Sequence, residues 1–480
     1  MTSLITLRIF TNGGIVTPEE LRKITQIASL CGCEAIMPGS RQELYLKVEK
    51  SLLITAEVEL SKHGINYTQV ENRAENIVCS FAALQILPTT AWLLEDTYLD
   101  ILDSFTYQPK LKINIVDPLQ NLVPLFTGQL NFIASSYPRY WHLYIDFPSI
   151  SKRQVWPVLI DGDDIGNLSK LIEEVYDKQY PATVQDLYAA ISEIFTGRTR
   201  HREEEIHLPV VQPFPLIEGI HAYGNACWLG IYRRNQCFPL GFLDALYKQC
   251  IEYKVGNICL TPHKTLLIKD IRKEDMRQWK KMLGIHRINI QHSALELNWQ
   301  LPDLDAEAMQ LKTTWVSELE EREIYTADLS FAVQTHPIDI AASVIIKQNY
   351  ATSKDSKKYD VLYANDFTSH SLQWQVFASN ISVKEVAATI MDLCQVYYSK
   401  VGLSSPQMIS EEVPVLVPSH NVYQCPDCLT IYNPEYGDAT ATIPPGTSFQ
   451  ELPDTYTCSL CEAPITSFVV VETVSYTNIE

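Results

Sequence analysis

Long hydrophobic runs are absent from this sequence of 480 residues. No stretch of about 18 consecutive apolar residues occurs, which argues against a membrane-spanning helix. The first ten residues place Arg8 inside an alternating pattern that is typical of a strand and not of a secretion signal. A glycine-rich phosphate loop and an H-x-x-x-H helix are also missing, so no catalytic residues can be named. We therefore expect no membrane partner and no secretion.

Positive charge is scarce at the C-terminal end. No Lys or Arg follows Lys400, whereas ten acidic residues do, and the net charge of the whole chain is −19. This balance argues against a nucleic-acid partner, because binding nucleic acid requires basic patches that replace counterions. The acidic end is either a solvated surface or a surface that attracts a redox protein partner with a basic docking surface.

The twelve cysteines fall into two groups. Eight are scattered between Cys31 and Cys394, which is not the framework of a small disulfide-rich secreted domain, so we expect a reducing, cytoplasmic compartment. The other four form two C-x-x-C pairs near the C-terminus. Each pair aims two thiolates at one point, and two pairs complete a tetrahedral site that suits iron or zinc equally by its spacing. The predicted ligands are Cys425, Cys428, Cys458 and Cys461.

Residues 423–470 resemble rubredoxin over nearly the whole length of that family. The resemblance rests on the two C-x-x-C pairs, the Tyr432-x-Pro434 step and the segment Ile443-Pro-Pro-Gly-Thr447. It implies one iron ion that cycles between Fe(III) and Fe(II) and transfers single electrons. The family usually has Gly after the second cysteine of each pair, where this chain has Leu429 and Glu462, and Tyr456 replaces the usual Trp.

The remaining chain carries an internal repeat. Residues 1–70 follow the pattern strand, helix, strand, strand, helix, and the pattern returns about 220 residues later. The segment from Arg41 to Lys47 matches the segment from His263 to Lys269, and Gly64-Ile65 matches Gly284-Ile285 at nearly the same offset. Each copy is followed by a longer α/β stretch. A shared offset indicates duplication of a whole unit.

The repeated units are similar to nitrite and sulfite reductases. The segments that carry this similarity are Thr17-Pro-Glu-Glu-Leu-Arg-Lys, Pro109-Lys-Leu-Lys-Ile113 and Leu260-Thr-Pro-His-Lys-Thr-Leu-Leu-Ile268. We therefore predict an α/β (α+β) fold with duplicated ferredoxin-type half-domains and α/β domains, plus a small rubredoxin-like metal module with four cysteine ligands. The predicted domains are a first ferredoxin-like half-domain (1–70), a first sirohaem-domain-like α/β region (71–205), a second half-domain (206–300), a second α/β region (301–410), a linker (411–421) and the rubredoxin-like domain (422–472).

The cofactors of those reductases are not expected here. The family holds a [4Fe–4S] cluster with C-x5-C and C-x3-C pairs, and neither spacing occurs in this chain. Arg41, Lys110 and Lys112 match anion-binding positions of the family, but Glu75 would repel an anion at a position where the family prefers Arg. The alternation of Lys110 and Lys112 is also typical of the solvent face of a strand. We expect no [4Fe–4S] cluster and no sirohaem.

These observations favour an electron-transfer protein with a rubredoxin-type iron centre of four cysteines and a reductase-like body that serves as docking platform. The resemblance implies a role in nitrate, nitrite or sulfite assimilation. Two alternatives stay open: a nitrite or sulfite reductase-like enzyme that still binds sirohaem in the body, and a scaffold protein stabilised by zinc.

Overall fold

The computed structural model describes most of the chain. Of the predicted linker 411–421, all but Asn421 lies outside the described residues. Among the helices that are described, none combines the length and the apolar character that crossing a bilayer requires. The described residues are 4–150, 152–206, 214–326, 328–337, 340–349, 357–369, 371, 373–401, 421–438 and 440–472.

The first unit is an antiparallel sheet with two helices. Thr17 starts the first helix, because its hydroxyl accepts a hydrogen bond from the Glu20 backbone N–H while the Glu20 carboxylate accepts one from the Thr17 N–H. Pro18 occupies the first helical position, where its missing N–H costs nothing. The elements are β1 (Leu4–Ile9), β2 (Ile15–Val16), α1 (Pro18–Leu30), β3 (Ala35–Pro38), β4 (Leu44–Glu49), α2 (Leu53–Lys62) and β5 (Tyr67–Gln69).

The second unit is a mixed sheet with helices. Its strands follow the order β12-β11-β9-β8-β7-β6, and β10 pairs with β9. The strands β6, β7 and β8 are mutually parallel, and the pairs beyond them are antiparallel. The elements are β6 (Val78–Cys79), α3 (Glu95–Asp103), β7 (Ile113–Val116), β8 (Leu130–Ala134), β9 (Tyr140–Ile145), β10 (Gln154–Val155), β11 (Val158–Asp161), α4 (Ile165–Gln179), α5 (Val184–Ser192) and β12 (Thr199–His201).

The third and fourth units repeat the first and second. The fourth sheet has the order β18-β19-β20-β21-β22, with the same parallel start and antiparallel end as its counterpart. The elements of the third unit are β13 (Gly219–Tyr223), β14 (Ala226–Ile231), β15 (Phe238–Pro239), α6 (Leu240–Glu252), β16 (Ile258–Leu260), β17 (Leu266–Arg272) and α7 (Met276–Ile285). Those of the fourth are α8 (Ala294–Leu297), β18 (Trp299–Gln300), α9 (Ala306–Glu320), β19 (Phe331–Gln334), β20 (Val344–Asn349), β21 (Lys358–Ala364), β22 (Trp374–Ser382) and α10 (Val386–Val401). The predicted fold class is confirmed.

The first and third units exchange short strands, which the sequence did not indicate. Strand β2 pairs with β16 of the third unit, where Ile15 lies opposite Cys259. Strand β15 of the third unit pairs with β3 of the first, where Phe238 lies opposite Ile36. Helices α1 and α6 pack together, and one hydrophobic core spans both units. The first and third units therefore fold together around one core.

The C-terminal module is a three-stranded antiparallel sheet with a small aromatic core. Tyr423 and Phe449 stack with ring centroids 3.8 Å apart, and Tyr456 and Phe468 pack beside them. The Tyr456 hydroxyl donates to the Asp438 carboxylate at 2.9 Å, so its polar end is satisfied inside the module. The strands are β23 (Asn421–Gln424), β24 (Ile431–Tyr432) and β25 (Val469–Glu472).

Candidate metal centre

Two similar turns, which we call the first and second knuckle, carry the four cysteines. In the first knuckle the Leu429 N–H donates to the Cys425 carbonyl, and in the second the Glu462 N–H donates to the Cys458 carbonyl. Leu429 and Glu462 have φ angles of 63° and 64°. This left-handed region normally favours Gly, so both bulkier residues accept the conformation at an energetic cost.

The knuckles bring the four sulfur atoms together. All four Sγ atoms lie within 4.8 Å of one another. The Cys425 Sγ is 3.5 Å from that of Cys461, and the Cys428 Sγ is 3.5 Å from that of Cys458. A tetrahedral ion bound at about 2.3 Å from each sulfur would need sulfur atoms about 3.8 Å apart. The four cysteines therefore fit a single tetrahedral metal ion.

A hydroxyl group lies beside one ligand. The Thr430 Oγ1 is 3.1 Å from the Cys428 Sγ. Burial raises the pKa of Cys428, but the hydrogen bonds with Thr430 and with the neighbouring Cys461 and Cys458 together outweigh it and bring the pKa below its ordinary value. With a metal bound, the Thr430 hydroxyl can donate to the Cys428 thiolate. Sequence reasoning missed this contact, although a hydroxyl residue two positions after the second cysteine of a pair is its visible signal.

The C-terminal module matches known proteins. The rubredoxin family model matches residues 422–468. Rubredoxin-2 of Chlorobaculum tepidum is 51% identical over 41 residues, which cover 79% of that protein and 8% of this chain. The chain belongs to the rubredoxin family. The probable rubredoxin HupI of Bradyrhizobium diazoefficiens is 43% identical over 49 residues and 71% of its length. The probable rubredoxin-1 of Methanocaldococcus jannaschii is 42% identical over 48 residues, where this chain spans 60% of its length.

Membership of the rubredoxin family supports iron as the ion at the four-cysteine site. The family relation covers only this module, which we now call the rubredoxin module. The remaining chain, which we call the body, is similar in fold to the Mycobacterium tuberculosis NirA protein. That structure superimposes with a TM-score of 0.67 over 84% of this chain and 82% of NirA, at 14% sequence identity. The body therefore shares the fold of NirA, in agreement with the α/β fold predicted for it.

The Arg41 side chain is buried and forms its hydrogen bonds within the protein. Its guanidinium donates to the backbone carbonyls of Asn76 and Ile113 at 2.9 Å and approaches the Glu75 carboxylate at 3.7 Å. Only 8% of the residue is exposed. Burial lowers the pKa of Arg41, although Glu75 opposes that effect. The side chain thus ties the first unit to the second sheet.

The two predicted lysines lie in different settings. The Lys110 Nζ is half-exposed and pairs with Asp177 at 3.7 Å. Lys112 lines a cavity of about 560 Å³ between the two α/β regions, together with Arg153 and His263. It also lines a neighbouring cavity of about 280 Å³, where Arg41 is found as well. The structure therefore brings Arg41 and Lys112 to one cavity and leaves Lys110 elsewhere.

Carboxylates occupy the smaller cavity. Asp303 accepts hydrogen bonds from the Ser40 backbone N–H at 3.0 Å and hydroxyl at 2.7 Å, and it pairs with the Lys264 ammonium at 2.9 Å. The ion pair with Lys264 and the bonds from Ser40 lower the pKa of Asp303 despite its burial. Burial and the nearby Asp303 charge raise the pKa of Glu43 to about 7. Asp303 thus satisfies donors that an anionic ligand would otherwise use.

The other cysteines form no metal-binding group in the part of the chain that is described. There, the rubredoxin cysteines are the only group of three or more His, Cys, Asp or Glu side chains close enough to share an ion. Six of the eight cysteines of the body are buried and pack as small apolar side chains. Burial raises the pKa of Cys33 and Cys259 to about 11, and that of Cys79, Cys250 and Cys394 to about 12.

Proposed function

We propose that this chain is a one-electron carrier with the rubredoxin module as its redox centre. The four converging cysteine sulfurs in a module of the rubredoxin family carry this proposal, because four thiolates in a tetrahedron hold a single metal ion and the family relation supports iron. An iron ion held there supplies one-electron transfer between Fe(III) and Fe(II). The exchange partner is a redox protein with a basic docking surface, and the fold of the body favours a role in nitrate, nitrite or sulfite assimilation.

Metal content and colour test this function. Protein purified from iron-replete cells should contain about one iron per chain and be red when oxidised. Cys428→Ser and Cys461→Ser should remove the colour, whereas Cys394→Ser should keep it, because Cys394 is buried in the body. Stoichiometric zinc in place of iron would contradict electron transfer and favour the zinc-stabilised scaffold.

We further propose that the body binds neither sirohaem nor a [4Fe–4S] cluster. Sirohaem carries many carboxylates and requires free cations. The Arg41 guanidinium instead donates to backbone carbonyls, and the Lys264 ammonium is paired with Asp303. Glu75 and Asp303 add negative charge to the same cavity. Among the described residues of the body, no four cysteines converge on one point, as a [4Fe–4S] cluster requires.

Two measurements separate this proposal from the enzyme alternative. The spectrum should contain iron–thiolate bands without an added porphyrinoid band, and acid-labile sulfide should be absent. Reconstitution with sirohaem should give no stable complex. A stoichiometric porphyrinoid, or sulfide at cluster stoichiometry, would overturn the docking-platform role and support a reductase.

A further inference from the structure

The rubredoxin module rests against helix α7 at a glycine. Gly284 lies in the last turn of α7 and is buried. A Cβ atom added at this position would lie 3.1 Å from the Leu460 Cδ2 and 3.4 Å from the Cys428 Cβ. Since this distance to Leu460 is tighter than ordinary van der Waals contact, a larger residue would push the second knuckle outward. The missing side chain thus creates a notch that admits the module.

An ion pair lies beside this notch. The Lys281 ammonium, one turn before Gly284, contacts the Glu462 carboxylate of the second knuckle. Arg277, one turn earlier on the helix, adds a second and more distant positive charge that also attracts the Glu462 carboxylate. Residues 277, 281 and 284 have the spacing of one helix face. That face therefore offers positive charge and a close steric fit to a module that carries acidic side chains and contains neither Lys nor Arg.

We propose that this face of α7, formed by Arg277, Lys281 and Gly284, is a docking site for the chain's own rubredoxin module and binds it more tightly when the iron is reduced. One electron from the redox partner converts Fe(III) to Fe(II), and no bond forms or breaks. The four-cysteine centre then carries one more negative charge. Lys281 and Arg277 stabilise the more negative state, so reduction and docking reinforce each other by thermodynamic linkage.

The docked position leaves part of the module accessible. Leu429 of the first knuckle is 66% exposed and Ile431 is 51% exposed. An external redox protein can therefore approach the exposed Leu429 and Ile431 while the second knuckle contacts α7. The redox part of this inference rests on the proposed iron function, but the docking itself does not.

Zero-length cross-linking of the full chain tests docking. A carbodiimide should join Lys281 to Glu462, and peptide mass spectrometry should detect the pair. Gly284→Gln should reduce the yield at least tenfold, because the new side chain fills the notch while both reactive residues stay intact. Lys280→Gln is the matched control, since Lys280 is an exposed lysine next to Lys281 on the same helix. No cross-link in the wild type, or an unchanged yield in Gly284→Gln, would overturn the docking site.

A charge swap covers the case in which Gly284→Gln disturbs the helix. Lys281→Glu should abolish the cross-link, and adding Glu462→Lys should restore a pair between the same positions. Failure of the double variant to regain the link overturns the specific pairing. This experiment works with iron or zinc in the module, so it stands apart from the electron-transfer proposal.

The midpoint potential tests the redox link. Gly284→Gln should lower the potential relative to both wild type and Lys280→Gln, because the undocked centre loses the nearby cations. A tenfold preference of docking for the reduced state corresponds to about 59 mV for one electron. Raising the salt concentration should shrink the difference. Equal potentials in wild type and Gly284→Gln would overturn the redox link.

Discussion

The hydroxyl of Thr430 should influence the midpoint potential of the iron centre. It lies 3.1 Å from the Cys428 Sγ. A hydrogen bond to a coordinating thiolate stabilises the more negative, reduced centre and raises its potential. We expect Thr430→Val to lower the midpoint potential without loss of iron. Thr455→Val, at an exposed position of the same module, should leave it unchanged. A potential that is equal in all three proteins would rule out this role of Thr430.

Leu429 tests the cost of replacing the family's glycine. Its φ of 63° is unfavourable for a residue with a Cβ, so Leu429→Gly should stabilise the module by roughly 1 kcal/mol. Thermal loss of the iron colour measures this effect. Leu429→Ala is the control, because it shortens the side chain but keeps the Cβ. A gain of equal size in Leu429→Ala would assign the effect to the exposed leucine side chain and not to the backbone.

Glu43 makes the stability of the body depend on pH. Its pKa is raised from 4.5 to about 7, so the folded state holds a proton that the unfolded state has already released. The resulting stabilisation is complete below about pH 4.5 and is lost as the pH rises through 7. The melting temperature of the wild type should therefore fall relative to that of Glu43→Gln over this window. Glu71→Gln, at an exposed position, should show no such trend.

Residue roles were predictable where the chemistry is local. Cys425 and Cys428 share one turn, so their spacing already implies convergence on an ion. Asp303 contacts Ser40, which is 263 positions away in sequence, and no local pattern announces that contact. Arg41 was matched to an anion-binding position, but its partners are backbone carbonyls of distant strands. A sequence motif specifies a side chain and not the groups that neutralise it.

At the scale of elements, the exchanged strands link the stability of the two half-domains. Phe238 of β15 is 1% exposed and lies in the shared core. Phe238→Ala should destabilise the body by about 3–5 kcal/mol, because it removes a buried aromatic ring. Hydrogen exchange should speed up in α1 as well as in α6. Ile251→Ala, at a position that is 55% exposed on α6, should have little effect. Faster exchange confined to the third unit would argue against a shared core.

The longer elements were predictable and the exchanged ones were not. The Thr17-Pro-Glu-Glu signature predicts the start of α1. The common sequence offset of the repeats predicts that the same order of strands and helices returns in the second copy. In contrast, β2 and β15 contain two residues each, which is too short for any periodic pattern. Their pairing partners lie in the other copy, so only the three-dimensional arrangement of the units reveals them.

At the scale of the whole molecule, negative charge on the module should govern encounter with a partner. Asp427 and Asp454 are exposed, so Lys substitutions there should slow electron exchange with a basic redox partner at low salt. The difference from wild type should vanish as salt shortens the Debye length. Glu451 is a poor choice, because its carboxylate accepts the Ser448 backbone N–H. Stopped-flow rates that depend neither on the salt concentration nor on these substitutions would show that the acidic surface serves only solubility.

The strand exchange also has a consequence for synthesis on the ribosome. Strand β2 at Ile15–Val16 needs β16 at Ile258–Leu260, so its partner is translated roughly 240 residues later. At about 5–20 residues per second, strand β2 waits on the order of 10–50 s without its pairing partner. Nascent chains arrested before residue 258 should therefore remain protease-sensitive in their first 70 residues, and longer ones should become resistant. Because the two copies exchange strands, the first copy can complete its fold only after the second copy has been synthesised.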